Sequence, residues 1–184
     1  GYRSKLAASE VLRLNSIVAN LSSQFTNNIY PKLREVFGEE QANGKITVVL
    51  HNMKGGVGGY AREADKIYIN IEEILNSELG PAYLAHEFQH LITENQKTIL
   101  RGVKEEKWLN EARSEYAPTL ARYNAQWNGS YLKKRVGEFL AHPSEALLDW
   151  RGRSIDHASA SLFTHYLVDR YGEGILTHMM ASKN

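Results

Sequence analysis

Ala85-His86-Glu87-Phe88-Gln89-His90-Leu91-Ile92 is the stretch from which the rest of this 184-residue chain is read. Two histidines four positions apart lie one turn apart on the same face of a helix, so both imidazoles reach one ion. Glu87 stands about 100° round the helix from His86 and can address a water on that ion. Leu84, Phe88, Leu91 and Ile92 supply the apolar surface that buries such a helix. With this chain's seven histidines and its glutamates, the spacing arises by chance in about 0.02 chains of the same length. The plainer alternative for these five residues is a helix carrying two surface histidines.

His-Glu-x-x-His is the pattern of zinc metallopeptidases, with the glutamate as general base. The composition agrees with it. The chain has no cysteine, which excludes disulfides, iron–sulfur clusters, thiolate zinc and a cysteine nucleophile, and leaves imidazole and carboxylate to hold a metal. Twenty-two Lys+Arg against 21 Asp+Glu give a net charge of +1, with no nucleic-acid footprint. No run approaches the roughly 18 apolar residues of a membrane span. The chain opens on Gly1-Tyr2 rather than Met, with no charged-then-apolar leader. The length predicts one domain over residues 1–184, with an N-terminal lobe to about 92 and a helical C-terminal lobe from about 93.

A third ligand comes next. Thr93 and Gln96 stand where a metzincin would need Gly and His, so that class is excluded. Downstream runs Trp108-Leu-Asn-Glu111-Ala-Arg-Ser-Glu115-Tyr-Ala117. The interval from His90 to Glu111 is enough for one helix to end, turn and return antiparallel. Three such ligands leave one coordination position for water, as a catalytic zinc requires. Glu111 and Glu115 are themselves one turn apart. One can bind the metal while the other accepts the second ring proton of a ligand histidine. Taken alone, the segment is a helix with two solvated acids.

Around these motifs the pattern predicts an α+β fold: a small β-sheet with N-terminal helices packed on a mainly helical C-terminal half. Leu6, Val11, Leu12, Leu14, Ile17, Val18, Leu21 and Phe25 fall near one helical stripe. A second helix is expected from Asn28 to Phe37, with Pro31 near its start or at a kink, and Gly38 after it. Asn43-Gly44 predicts a turn before a strand from Lys45 to His51. Four glycines between Gly55 and Tyr60 predict a loop or irregular edge, and Lys66 to Ile71 a second strand. From there only helices follow, near 72–77, 81–95, 106–124, 131–141, 158–171 and 173–181, with glycines 102, 129, 152 and 172 between them.

Asn110-Glu111-Ala112-Arg113-Ser114-Glu115 resembles the second signature of the gluzincin metallopeptidases, Asn-Glu-x-x-Ser-(Asp/Glu). Within that group the chain is similar to the hyicolysin-type neutral metallopeptidases. The likeness lies in Phe25-Thr-Asn-Asn-Ile-Tyr-Pro-Lys32, Ile67-Tyr-Ile-Asn70, His86-Glu-Phe-Gln-His-Leu-Ile92 and Trp108-Leu-Asn-Glu-Ala. The resemblance implies a zincin-like fold with Zn2+ held by His86, His90 and Glu111, Glu87 as base and proton shuttle, and Glu115 behind the ligands. It also implies a secreted or cell-surface endopeptidase acting on polypeptides. Gluzincins place a His or Tyr from the C-terminal region beside the oxyanion, shortly before a helix resembling Ala160-Ser-Leu-Phe-Thr-His-Tyr-Leu167. His157 stands where this family has Tyr; Tyr166 is the second candidate, and a helix-cap histidine beside Asp156 the plain one.

An extended substrate needs a strand edge to pair with, and Gly58, Gly59 and Tyr60 are the candidates, glycine allowing a peptide backbone to come close. The aminopeptidase stretch Gly-x-Met-Glu-Asn is absent, Glu63 being the nearest acid, which favours endoproteolysis. Arg151 and Arg153 read as solvated surface and Lys133-Lys134-Arg135 as a short basic face. His51, His142, His165 and His178 lack paired spacing and read as structural. The expected assembly is a monomer, with neither nucleic acid nor a membrane span. The competing class is a zinc-stabilised binding module that cleaves nothing, against which Glu87 speaks because structure does not need it.

Overall fold

The computed structural model describes residues 7–41, 45–54, 57–62, 65–76 and 79–182. The expected Asn43-Gly44 turn, Leu6, Gly55, Gly56, Glu63 and the end of the 72–77 helix lie outside them. Within them the chain is helix-rich around one small mixed sheet, an α+β arrangement.

The N-terminal stripe forms α1 (Ala8–Gln24), and the second expected helix forms α2 (Tyr30–Phe37). They are not separate. A five-residue π turn, Phe25–Ile29, joins them into one rod. Pro31, with no N–H to give to the preceding turn, sits just past that wide turn, where the missing donor costs least. Leu21, Ile29, Leu33 and Phe37 are the buried face of the rod.

Three strands follow: β1 (Thr47–His51), β2 (Gly59–Arg62) and β3 (Lys66–Asn70). The stretch expected to be a loop or irregular edge thus becomes a regular strand from Gly59 onward. The order is β1-β3-β2, with β3 parallel to β1 and antiparallel to β2. Side chains alternate between faces. Ile67 and Ile69, both fully buried, share the inner face with Val48, Leu50, Gly59 and Ala61. The outer face carries His51, Tyr60 and Tyr68, with the two tyrosine rings stacked 4.6 Å apart.

β2 is an edge strand lying directly on a helix, and its glycines make that possible. A Cβ on Gly58 would stand 2.3 Å from Tyr83 Cε1, and one on Gly59 would stand 2.8 Å from Tyr68 O and 3.0 Å from Glu87 Cγ. The glycines therefore admit this chain's own helix. Asn70 fixes the approach: its side chain accepts from Met53 N–H and donates to Val57 O, while its N–H donates to Gly58 O.

That helix is α4 (Gly80–Thr93), which follows α3 (Ile71–Asn76). Ala82, Leu84, Ala85, Phe88, Leu91 and Ile92 are buried along it, and a helix apolar nearly all round belongs in the centre of a protein. A π turn, Glu94–Ile99, extends it past the expected end near 95. Next come α5 (Lys107–Leu120), α6 (Tyr131–Ala141), α7 (Ser154–Tyr171) and α8 (Gly174–Ala181).

α5 stops four residues short of expectation. Pro118 lies in its last turn, and Arg122 takes a left-handed conformation at φ 63°. Ser130 caps α6 by accepting Lys133 N–H. α7 starts four residues early because the Asp156 carboxylate accepts the N–H groups of Arg151 and Arg153, both at 2.9 Å. His157 consequently sits inside the first turn of α7 rather than before it. Among the described residues no helix is long and apolar enough to cross a membrane.

Candidate metal centre

α4 and α5 pack with their residues pairing in opposite directions: His86 lies towards Glu115, and His90 towards Asn110. Three side chains meet at that contact. His86 Nε2 is 3.2 Å from His90 Nε2, His86 Nε2 is 3.3 Å from Glu111 Oε2, and His90 Nε2 is 3.4 Å from the same oxygen. Ligands at about 2.0–2.1 Å from a tetrahedral ion stand about 3.3 Å from one another. The three atoms are thus spaced as one such ion requires.

Charge gives a second test of fit. Glu87, Glu111 and Glu115 are buried here, and among the described residues the one permanent cation paired within the group is Arg135. Glu111 Oε2 and His86 Nδ1 are buried without a hydrogen-bond partner. With the imidazoles neutral, as metal ligation requires, and the three carboxyls ionised, the cluster is two positive charges short, and with its orphaned carboxylate oxygen it suits a divalent cation. The carboxyl of Glu111 is held far below the usual range: burial opposes this, but the neighbouring imidazoles outweigh it. His90 moves the other way. Burial lowers its pKa, yet the Glu111 carboxylate and Glu87 raise it to about 9 in the metal-free protein.

The orientation of His90 comes from residues that the sequence reading left without a role. Its Nδ1 lies 3.0 Å from Asn110 Oδ1 and 3.1 Å from Ser114 Oγ, and Ser114 Oγ donates to Gln89 Oε1. A hydroxyl that donates to Gln89 can accept from His90, so the proton sits on Nδ1. In the neutral ring the Nε2 lone pair then faces His86 and Glu111. The available signal was the Asn110–Glu115 stretch itself, whose Asn and Ser share the helix with Glu111.

Glu115 is fully buried, with its carboxylate turned towards α6 and α7. Arg135 donates to it from Nε at 2.8 Å and Nη2 at 2.6 Å, Tyr131 from its hydroxyl at 2.9 Å, and His157 from Nδ1 at 3.1 Å. Burial pushes its pKa up, but Arg135 and these hydrogen bonds hold it well below the ordinary carboxylate value. His86 Nδ1 is 3.6 Å from Glu115 Oε1, close but beyond hydrogen-bond length. Arg135 is therefore buried, while Lys133 and Lys134 of the expected basic face are exposed, Lys134 with its ammonium turned back to Tyr83.

Glu87 is 5% exposed and has no hydrogen-bond partner among the described residues. Burial pushes its carboxyl pKa up. It borders an open cleft of about 620 Å3 between β2 and the α4–α5 contact, together with Gly59, His90, Asn110, Glu111 and His157. The outer edge of β2 flanks this cleft. Tyr60 contributes backbone there, since its ring lies on the opposite sheet face, with its hydroxyl 3.4 Å from His51 Nε2.

His157 enters from α7. Its Nδ1 is 3.5 Å from Glu111 Oε2, and its ring meets Trp150 edge-on at 4.9 Å. His86, Glu111 and His157 form a second, looser trio whose candidate ligand atoms lie within 4.8 Å of one another. In that trio His157 Nδ1 is already engaged with Glu115. Tyr166 is 60% exposed and does not line the cleft. Arg151 pairs with Asp149, and Arg153 with Glu145 and Asp156, which leaves neither directed at substrate. His165 is a satisfied structural histidine, between Thr119 Oγ1 at 2.9 Å and Ser161 O at 2.8 Å.

The chain is 28% identical over 124 residues to the neutral metalloprotease ShpI of Staphylococcus hyicus, an alignment covering 50% of this chain. It spans 28% of that relative's length. No family model matches the chain, and no solved structure does. The similarity supports a relationship to metalloproteases. With it stands a cluster of histidine and glutamate side chains in which a metal ion fits.

Proposed function

We propose that this chain is a zinc-dependent endopeptidase of the gluzincin type with a zincin-like fold, acting outside the cell or at its surface. The observation that carries the reading is the 3.2–3.4 Å triangle of His86 Nε2, His90 Nε2 and Glu111 Oε2 beside the buried acid Glu87. These three side chains would hold the ion. A bound zinc would supply Lewis acidity, bringing the pKa of water to about 7 and polarising a carbonyl.

The protein's own groups do the rest. Glu87, without a hydrogen-bond partner among the described residues and bordering the cleft, takes a proton from water and returns it to the departing amine. Asn110 and Ser114 keep the proton of His90 on Nδ1. Among the described residues β2 is an edge strand, and its outer edge offers an extended peptide the backbone N–H and C=O groups of Gly59 and Ala61, those of Tyr60 being paired with Tyr68. His157 gives its Nδ1 hydrogen to Glu115 and keeps Nε2 for the oxygen that becomes negative. It donates from Nε2 only while both ring nitrogens carry protons.

The test is casein hydrolysis with zinc content measured on the same samples and a chelator as control. Glu87→Gln should retain zinc and lose about 10²–10⁴-fold in rate. His157→Phe should lower kcat by about tenfold or more. A Glu87→Gln protein that holds zinc and cleaves at the parental rate contradicts the reading, as does a parent that takes up no zinc.

A further inference from the structure

Beside the triangle, sharing Gly59, His86, Glu87 and His157 with the large cleft, lies a smaller recess of about 290 Å3. His86, Glu87 and His157 close one end of it, and Tyr83, Tyr131 and Lys134 stand round the rest. Its polar groups are unevenly committed. Tyr131 gives its hydroxyl hydrogen to Glu115, and Arg135 is held by Glu115 and Glu138. Lys134 is different. Its ammonium donates to Tyr83 Oη at 3.1 Å, and among the described residues no carboxylate pairs with it. Tyr83 Oη, accepting from Lys134, has no acceptor for its own hydrogen among the described residues.

The recess thus presents an ammonium and a phenol with hydrogens to give. Its one carboxylate, Glu87, lies at the end with the triangle. Tyr83 holds the ammonium through its hydroxyl, and the ammonium stands 5.8 Å from the ring centroid. Tyr83 is itself fixed by Gly58, whose missing Cβ leaves room for the ring. A long, otherwise mobile lysine is thereby positioned in advance, which lowers the entropy lost when a ligand binds.

We propose that this recess takes an acidic side chain of the substrate at a position adjoining the scissile bond, with Lys134 and Tyr83 as the residues that select it. The inference rests on the endopeptidase reading, since that reading makes the recess a subsite. The matched chemistry is a carboxylate receiving two hydrogen bonds, one of them from a cation. A neutral amide of the same shape gains less, and a basic side chain is repelled. The carboxylate at a peptide's own C-terminus has the same chemistry, so the probes must separate the two.

Binding and cleavage are read on peptides of one sequence, amidated at the C-terminus, with Glu, Gln or Lys placed in turn on either side of the cleaved bond. Peptide binding to the zinc-loaded Glu87→Gln protein, followed by fluorescence anisotropy, should favour Glu over Gln about tenfold at one of the two positions. The preference should narrow as salt is raised. Lys134→Met should bring that ratio close to one, and Lys134→Glu should reverse it in favour of Lys. Circular dichroism checks that both variants are folded. Equal binding of Glu and Gln peptides at both positions overturns the proposal, as does a preference that survives Lys134→Met. A preference seen only with free C-terminal acids assigns the recess to the chain terminus and also overturns it. If the parent cleaves none of the peptides, the endopeptidase reading itself fails; cleavage without preference removes only the selectivity.

Discussion

Two buried ionic clusters lie against α5, and they are built to opposite plans. One joins Lys97, Glu105 and Arg113. Arg113 meets Glu105 with both terminal nitrogens, Lys97 is 3.2 Å from the same carboxylate, and Lys97 also donates to Ser182 O at 2.8 Å. Its carboxylate is fully matched, and of its cations only Arg113 Nε lacks a partner. The other cluster, a few residues away on the same helix, joins Glu87, Glu111, Glu115, His86 and His90. There the carboxylates outnumber the guanidinium, and two ligand-type atoms are left without hydrogen bonds. A buried carboxylate taken up by two buried cations makes structure. Buried anions converging with imidazole lone pairs at ligand spacing make a cation site. The comparison separates the two where burial and residue type alone would not.

The largest expected effect belongs to the matched cluster. Glu105→Gln leaves Lys97 and Arg113 buried without their anion and should cost about 3 kcal/mol in urea unfolding, while zinc affinity stays as it was. A loss of zinc binding in that variant would merge the two clusters and end the distinction. Next comes the metal itself. Zinc at about 100 times its dissociation constant should add about 2.7 kcal/mol to stability, removable by a chelator. Glu105→Gln should gain the same increment, because the sites do not share partners.

Asn110→Ala removes the group that holds His90 in place and should weaken zinc binding about 10–100-fold, with secondary structure unchanged. Calorimetry in zinc buffers measures it; parental affinity would show that Ser114 suffices. A further effect is protonic. His90, raised to about 9 by its partnership with Glu111, is protonated at neutral pH in the metal-free protein. Zinc needs it neutral, so binding near pH 7.5 should release about one proton, and affinity should climb with pH until about 9. In the metal-free protein the sign is opposite. The His90–Glu111 pair contributes stability that is fully present below the ordinary histidine value near 6.5 and is lost as pH rises through about 9. Calorimetry in buffers of different ionisation enthalpy reads the proton count.

How much of this was legible in the sequence depended on the range of the interaction. α4 could be read because its pattern is local: one helical period places His86 and His90 together and distributes Leu84, Phe88 and Ile92 around them. α6 was placed at its observed bounds, since Ser130 caps it. Glu111 was placed on the following helix by spacing alone. Interactions that depend on non-neighbours were not legible. Arg135 read as part of a basic face because nothing in Lys133-Lys134-Arg135 says which of three adjacent cations turns inward to Glu115. Gly58 and Gly59 read as room for a substrate backbone, whereas the structure uses that room for Tyr83 and Glu87. The rod from α1 to α2 read as two helices, since Pro31 gives the same local signal at a helix start as after a π turn. The early start of α7, which puts His157 inside a helix, depends on Asp156 reaching back to two N–H groups.

The central claim is that His86, His90 and Glu111 hold one zinc ion. Crystals of the zinc-loaded protein, measured on both sides of the zinc absorption edge, test it most directly. The account predicts one anomalous peak about 2.0–2.1 Å from His86 Nε2, His90 Nε2 and Glu111 Oε2, with His90 Nδ1 still facing Asn110. No peak at the triangle, or a peak bound by His86, Glu111 and His157 with His90 left free, would contradict it.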